Sequence, residues 1–247
     1  MENTRTKTTR NSLILLLTAA IWGMAFVSQS KGMDYMHPFT FNGVRSLIGA
    51  ASILVYILIS RKIAGDKAAP LDWKLNVKAG LLCGIFLTIA STLQQFGIKY
   101  TSVGKAGFIT TLYIIFVPMF GIFLKKKVAP VVWAAAVMAA VGMYLLCMTE
   151  SLRLGAGDIM VFLCAIAFAI QIMTVDHYAA RIDGAVVSCI QFTVCGVVCC
   201  IGALIWGQPT FGQLQEGLGA LLYAGVLSCG VGYTLQIVGQ KGLNPTV

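Results

Sequence analysis

The sequence predicts an all-α fold, a polytopic bundle of transmembrane helices. Three observations carry that expectation. Of 247 residues, 58% are hydrophobic and only 11% are charged, against roughly 45–50% and about 25% in soluble domains. The apolar residues form long runs of about 20 residues, without the alternation that membrane β-strands require. The runs are joined by short connections, which favours helices packed against their sequence neighbours. A soluble enzyme and a disordered chain are both excluded, because no core of this size covers so much apolar surface.

Eight runs follow one another. The first, Ser12–Gln29, has Arg5, Lys7 and Arg10 before it, as a signal peptide would. It is too long for a signal core, and Trp22 and Phe26 stand where cleavage needs small residues, so it is a retained helix. The second, Phe39–Ser60, holds Arg45, the formal charge well inside a span. The third, Asn76–Ile98, carries Gly80 and Gly84 in a GxxxG pattern that lets backbones approach closely. The fourth, Gly104–Leu124, contains Pro118, which lacks an N–H and bends a helix. Ala129–Met148 is the fifth. The sixth, Asp158–Val175, opens on an acid that suits a helix N-terminus better than a proton relay. Ala185–Trp206 and Leu218–Gln240 complete the set.

Charge sets the orientation. With the N-terminus inside and the runs alternating, thirteen Lys and Arg fall inside, among them Arg61, Lys62 and Lys125–Lys127. Four fall outside: Lys31, Lys99, Lys105 and Arg153. This positive-inside bias accounts for the net charge of +9 without a nucleic-acid partner. The chain is expected to be integral to the cell membrane (plasma or inner), with a cytoplasmic N-terminus. The eight cysteines show no CxxC or Cys/His spacing and sit mostly in apolar runs. They are expected to pack as small apolar residues, with no metal and no cofactor.

The chain also repeats. Leu93, Gln94, Gly97 and Lys99 recur as Leu235, Gln236, Gly239 and Lys241 at one offset of 142 residues, and Thr92 matches Thr234. Arg45 falls opposite Gln191 at a similar offset. Residues 1–150 then form one repeat of five spans and 151–247 a second, incomplete one. An odd number of spans inverts the second copy, and inverted repeats build many secondary transporters, with substrate between the halves. Counterparts of spans 4 and 5 are missing after Val247, so a ten-helix protein with eight helices in this chain is expected, and a true eight-span protein is the alternative.

In this setting the sequence resembles the EamA-like family of the drug/metabolite transporter superfamily. The resemblance covers essentially the whole chain. It rests on Ile21-Trp22-Gly23-Met24-Ala25-Phe26, on His37-Pro38-Phe39 leading to Arg45, on Gln94-Gln95-Phe96-Gly97 into Tyr100-Thr101-Ser102, on Lys105-Ala106-Gly107-Phe108-Ile109, and on Pro118. It implies ten helices in two inverted five-helix repeats, and efflux or exchange of small metabolites such as amino acids. Many relatives carry a Gly-Glu pair after span 4, where this chain has Lys125-Lys126-Lys127.

Polar residues inside spans are costly, so their placement points to a transport path. Thr88, Ser91, Thr92, Gln95 and Lys99 recur at three- and four-residue spacing on one face of span 3. That face is expected to line a central cavity, or else to glue two helices. Trp22 shares a face with Thr18 and Gln29 and offers an apolar wall or a cation-stacking surface. Arg45 suits a substrate carboxylate or phosphate, with a structural arginine as the competing role. Tyr113, Gln171, Gln191 and Gln236 complete the expected substrate-binding set, each with packing as its alternative. His37 and His177 lie at span ends and make poor proton relays. The function expected is a secondary transporter moving small metabolites by alternating access. Its partners are a small-molecule substrate and the lipid bilayer, with a homodimer left open. A non-transporting membrane subunit is the alternative. A membrane enzyme is disfavoured, because the spans hold no cluster of His, Asp and Glu and no activated Ser.

Overall fold

A computed structural model describes residues 4–65, 70–123, 130–147 and 155–240, which form helices joined by short turns, with no strand among the described residues. Helix α1 is Thr4–Tyr35, α2 Pro38–Ala64 and α3 Trp73–Tyr100. Span 4 is two helices, α4 (Val103–Thr111) and α5 (Tyr113–Phe123). Then come α6 (Pro130–Cys147), α7 (Ala156–Tyr178) and α8 (Gly184–Gly202), which widens into a π-helical turn over Ala203–Gly207. A short α9 (Phe211–Glu216) leads to span 8. That span is α10 (Leu218–Leu222), a π-helical stretch Tyr223–Gly232, and α11 (Tyr233–Gln240).

Among the described residues, seven helical segments are long and apolar enough to cross a membrane. They coincide with the expected spans 1–4 and 6–8. The fifth expected span, Ala129–Met148, is represented by α6, whose apolar stretch, Val132–Gly142, is shorter than a full crossing. Residues 124–129 and 148–154 lie outside the described residues. So do Lys125–Lys127, Arg153 and Lys241 of the charge argument.

Local chemistry explains where these helices begin. Asp72 accepts from the Leu75 N–H at 3.0 Å, and Ser102 accepts from the Lys105 N–H at 3.3 Å. Asp183 accepts from the N–H groups of Ala185 and Val186. Thr210 and Gln213 form a reciprocal capping box. Each cap satisfies a backbone donor that the first helical turn leaves unpaired. Asp158 takes the Gly155 N–H at 2.9 Å, the capping role expected of it. The interruption of span 4 falls at Leu112 rather than at Pro118, which sits inside α5. Thr111 Oγ1 donates to the Gly107 carbonyl at 2.7 Å, a back-bond of the kind that bends helices.

The faces are arranged as a bilayer demands. On α3, Leu81, Ile85 and Ile89 point outward at four-residue spacing, while Gly80, Cys83, Gly84 and Leu87 are buried. Trp73, Tyr100 and Trp206 are exposed near helix ends, where interfacial aromatics belong. Lipid offers no hydrophobic drive between helices, so close packing has to hold them. Glycines supply it. A Cβ added at Gly84 would lie 2.8 Å from Val194 Cβ and 3.2 Å from the Gln191 Cα, and one at Gly80 would strike Ile190. The GxxxG face of span 3 is thus the seam on which α8 lies. Helix α2 packs against α8 and the π-helical stretch, α3 against α7 and α8, and α1 against span 8.

Candidate functional site

The junction of α2, α3 and α8 buries polar groups in an otherwise apolar interior. Asn42, three residues before Arg45 and so on the same face of α2, is fully buried and is the hub. Its Nδ2 donates to Ser91 Oγ at 3.0 Å and Thr92 Oγ1 at 3.4 Å, both on α3. It also faces two sulfurs of α8, Cys199 Sγ at 3.2 Å and Cys195 Sγ at 3.8 Å. Its Oδ1 accepts from Arg45 Nε at 3.0 Å.

Arg45 is 6% exposed. Its guanidinium stands 5.7 Å from the Phe41 ring centre. Cys164 of α7, Cys195 of α8, and Cys229 and Tyr233 of span 8 all lie within its electrostatic reach. Among the described residues no carboxylate pairs with it. Side-chain ion pairs there include Arg61 with Asp183 and Lys105 with Asp158, both near helix ends. A buried cation without an anion is costly unless something supplies the missing charge.

The other expected site residues fall into three groups. Trp22 Nε1 donates to the Ser228 carbonyl at 3.2 Å, inside the π-helical stretch, and its ring packs 5.1 Å from Tyr233. Tyr113 lies half-buried at the start of α5. Span 8, which carries Tyr233, meets α2 at Arg45, where a Cβ added at Gly225 would lie 3.0 Å from the Arg45 carbonyl. Gln171 Nε2 donates to Gln191 Oε1 at 2.9 Å, joining α7 to α8. Gln95 is fully buried and donates from Nε2 to the Gln29 carbonyl at 3.2 Å, while Gln95 Oε1 and Gln29 Oε1 have no hydrogen-bond partner. Gln236 lies half-buried on α11. The span 3 stripe divides. Ser91, Thr92 and Gln95 point inward, Thr88 bonds its own helix at the Gly84 carbonyl, and Lys99 is exposed at the helix end.

Sequence reasoning missed Asn42 and the setting of Cys195 and Cys199. Asn42 was legible from its spacing to Arg45. The two cysteines sit four apart in a run of apolar letters, which hides their polar neighbours on α2 and α3. An aromatic group stands toward the α2 N-terminus. Phe39 meets Phe96 edge-on at 5.2 Å and stacks on Trp206 at 5.6 Å, and His37 joins Phe96 at 5.5 Å. His37 caps α2 by accepting the Phe39 N–H on Nδ1, which requires that nitrogen to be unprotonated. Burial, and then the nearby Lys99 ammonium, hold the His37 pKa below its ordinary value. Among the described residues no three His, Cys, Asp or Glu side chains converge in a way that could hold a metal ion.

Long apolar helices around a buried, charged hydrogen-bond network define a polytopic integral membrane protein. The EamA-like transporter family model matches residues 10–148 and 155–247. The chain belongs to the EamA-like transporter family. Its relatives include a protein of Archaeoglobus fulgidus described as an uncharacterized transporter, 31% identical over 171 residues, or 67% of this chain. They also include the uncharacterized transporter YwfM of Bacillus subtilis, 26% identical over 236 residues and 94% of this chain. The matched region spans 48% of the archaeal relative and 77% of the Bacillus one.

Proposed function

We propose that this protein is a secondary transporter that moves small metabolites, such as amino acids or related compounds, across the cell membrane by alternating access. The observation that carries the reading is Arg45. It is a buried cation without a carboxylate partner among the described residues, and it stands where α2 faces α8 and span 8. A substrate carboxylate would supply the missing charge through bidentate hydrogen bonds. Trp22, Tyr113 and Tyr233 would wall the apolar part of the substrate. Gln95, Gln171, Gln191 and Gln236 are the neighbouring hydrogen-bonding groups.

The inverted repeat, 1–150 against 151–247, belongs to the same proposal. Its best support is a pair of contacts. A Cβ at Gly97 would lie 2.9 Å from the Gly157 carbonyl, and one at Gly239 would lie 2.8 Å from Leu15 Cδ2. Both members of the first pair map onto the second at the 142-residue offset. The packing of α3 on α7 and of span 8 on α1 follows the same exchange. Transport then consists of rocking one half against the other around Arg45. The N-terminus is cytoplasmic by the charge bias.

The test is flux into proteoliposomes of a panel of labelled amino acids and small carboxylates. Wild type should give saturable flux of at least one compound. Arg45→Met should lose it by about 10–100-fold, the worth of a charge-assisted hydrogen bond. Equal flux from wild type, Arg45→Met and empty vesicles across the panel would sink the proposal.

A further inference from the structure

Cys195 and Cys199 lie one turn apart on the inward face of α8, and both are fully buried. Their sulfurs are ringed by polar groups able to donate hydrogen bonds. Asn42 Nδ2 faces both, at 3.8 and 3.2 Å. Ser46 Oγ donates to Cys195 Sγ at 3.5 Å. The hydroxyls of Ser91 and Thr92 stand 3.3 Å from Cys195 Sγ and 3.5 Å from Cys199 Sγ. A neutral thiol is a weak acceptor. A thiolate or a metal-bound sulfur makes far better use of such donors. A second, independent observation is Arg45, whose Nε is bonded to the same Asn42. With both thiols neutral, this network holds one positive charge and lacks one negative charge.

We propose that Cys195 and Cys199 form a two-coordinate site for a soft monovalent cation, Cu(I) being the ion whose charge fits. Soft thiolates select Cu(I). Zinc needs about four ligands, and among the described residues no three His, Cys, Asp or Glu side chains converge to hold a metal. Loading balances as Cu⁺ plus two thiols giving a bis-thiolate cuprate of charge −1 and two protons. Two S–H bonds break, two Cu–S bonds form, and no electron is transferred. The site then carries the single negative charge that Arg45 lacks, relayed through Asn42. Hg(II) on the same sulfurs would give a neutral centre and leave Arg45 uncompensated. Arg45 therefore separates the two ions.

The site shares Arg45 with the transport reading, since bound copper and a substrate carboxylate would answer the same charge, and it is tested by equilibrium binding, which needs no transport. Purified full chain in detergent, kept anaerobic, is titrated with Cu(I) against a competing chelator. One Cu(I) per chain, two protons released per ion and a two-sulfur X-ray absorption shell are expected. Cys195→Ser and Cys199→Ser should each lose that ion, and Cys83→Ser should keep it. Arg45→Met should weaken Cu(I) by about 10–100-fold, the usual size of an outer-shell effect, and Hg(II) much less. Cu(I) should also shield Cys195 and Cys199 of the unmutated chain from alkylation, read by mass spectrometry, which needs no variant to fold. Undiminished binding in both serine variants, a shell of three or more sulfurs, or alkylation of the pair unchanged by Cu(I) would each overturn the proposal.

Discussion

Arg45 sits in an apolar bundle with one hydrogen bond, to Asn42, and the face of Phe41. A buried cation without an anion is costly, while removing it leaves Asn42 Oδ1 without its donor at a cost of about 1–3 kcal/mol. The two effects oppose, so Arg45→Met should change thermal stability by no more than about 2 kcal/mol while lowering flux by about 10–100-fold. A large drop in stability would show that the arginine is structural. Gln95 carries an orphaned Oε1, so Gln95→Leu should cost less than about 1 kcal/mol, because the bond lost to Gln29 is offset by removal of an unsatisfied acceptor. His37 makes a separate prediction. Its protonation midpoint, followed by NMR, should lie below 6.5. Lys99→Gln should raise it only in part, since burial is the larger cause. Because the folded value is depressed, the stability His37 contributes is present above its unfolded value and is lost as pH falls from there through the folded value. A midpoint at or above 6.5 would contradict the burial of His37 and its nearness to Lys99.

At the scale of the helix, glycines divide into those that meet a neighbour and those that do not. Gly84→Ala places a methyl 2.8 Å from Val194 Cβ, and Gly157→Ala places one 2.8 Å from the backbone of Tyr100. Each should destabilise by about 1–3 kcal/mol through overpacking. Gly23 and Gly107 have nothing within 4 Å of an added Cβ. Their Ala variants should be neutral or up to about 1 kcal/mol more stable, from helix propensity. Thermal denaturation in detergent checks all four, and equal effects would contradict the described seams. This is also the scale at which the sequence was most legible. Run lengths located seven crossing segments, six of them to within about four residues and the first, Ser12–Gln29, short of its observed end at Tyr35; Gly80 and Gly84 announced a close-packed face on α3, though not its partner. The π-helical stretch Tyr223–Gly232 was not legible, because its letters also suit an ordinary helix. Its width depends on contacts with α1 and α2, such as Trp22 Nε1 on the Ser228 carbonyl.

For the whole molecule, the expected site residues were legible as polar letters in apolar runs, but their grouping was not. Arg45, Ser91 and Thr92 come together through Asn42, and Gln171 meets Gln191, whereas Gln95 turns to Gln29. Only the crossing of α2, α3 and α8 decides this. In the described structure the inward part of the span 3 stripe is packed, so alternating access requires α3 and α8 to part. In an alternating-access cycle they part toward each side of the membrane in turn. The most direct measurement places a single cysteine at Thr92 or Gln95, with the native cysteines replaced. A small membrane-impermeant thiol reagent is then applied to right-side-out and inverted vesicles. Alternating access predicts labelling from both sides, slowed by a transported substrate. Labelling from neither side, with full labelling after denaturation, would contradict it and leave the stripe a static helix seam.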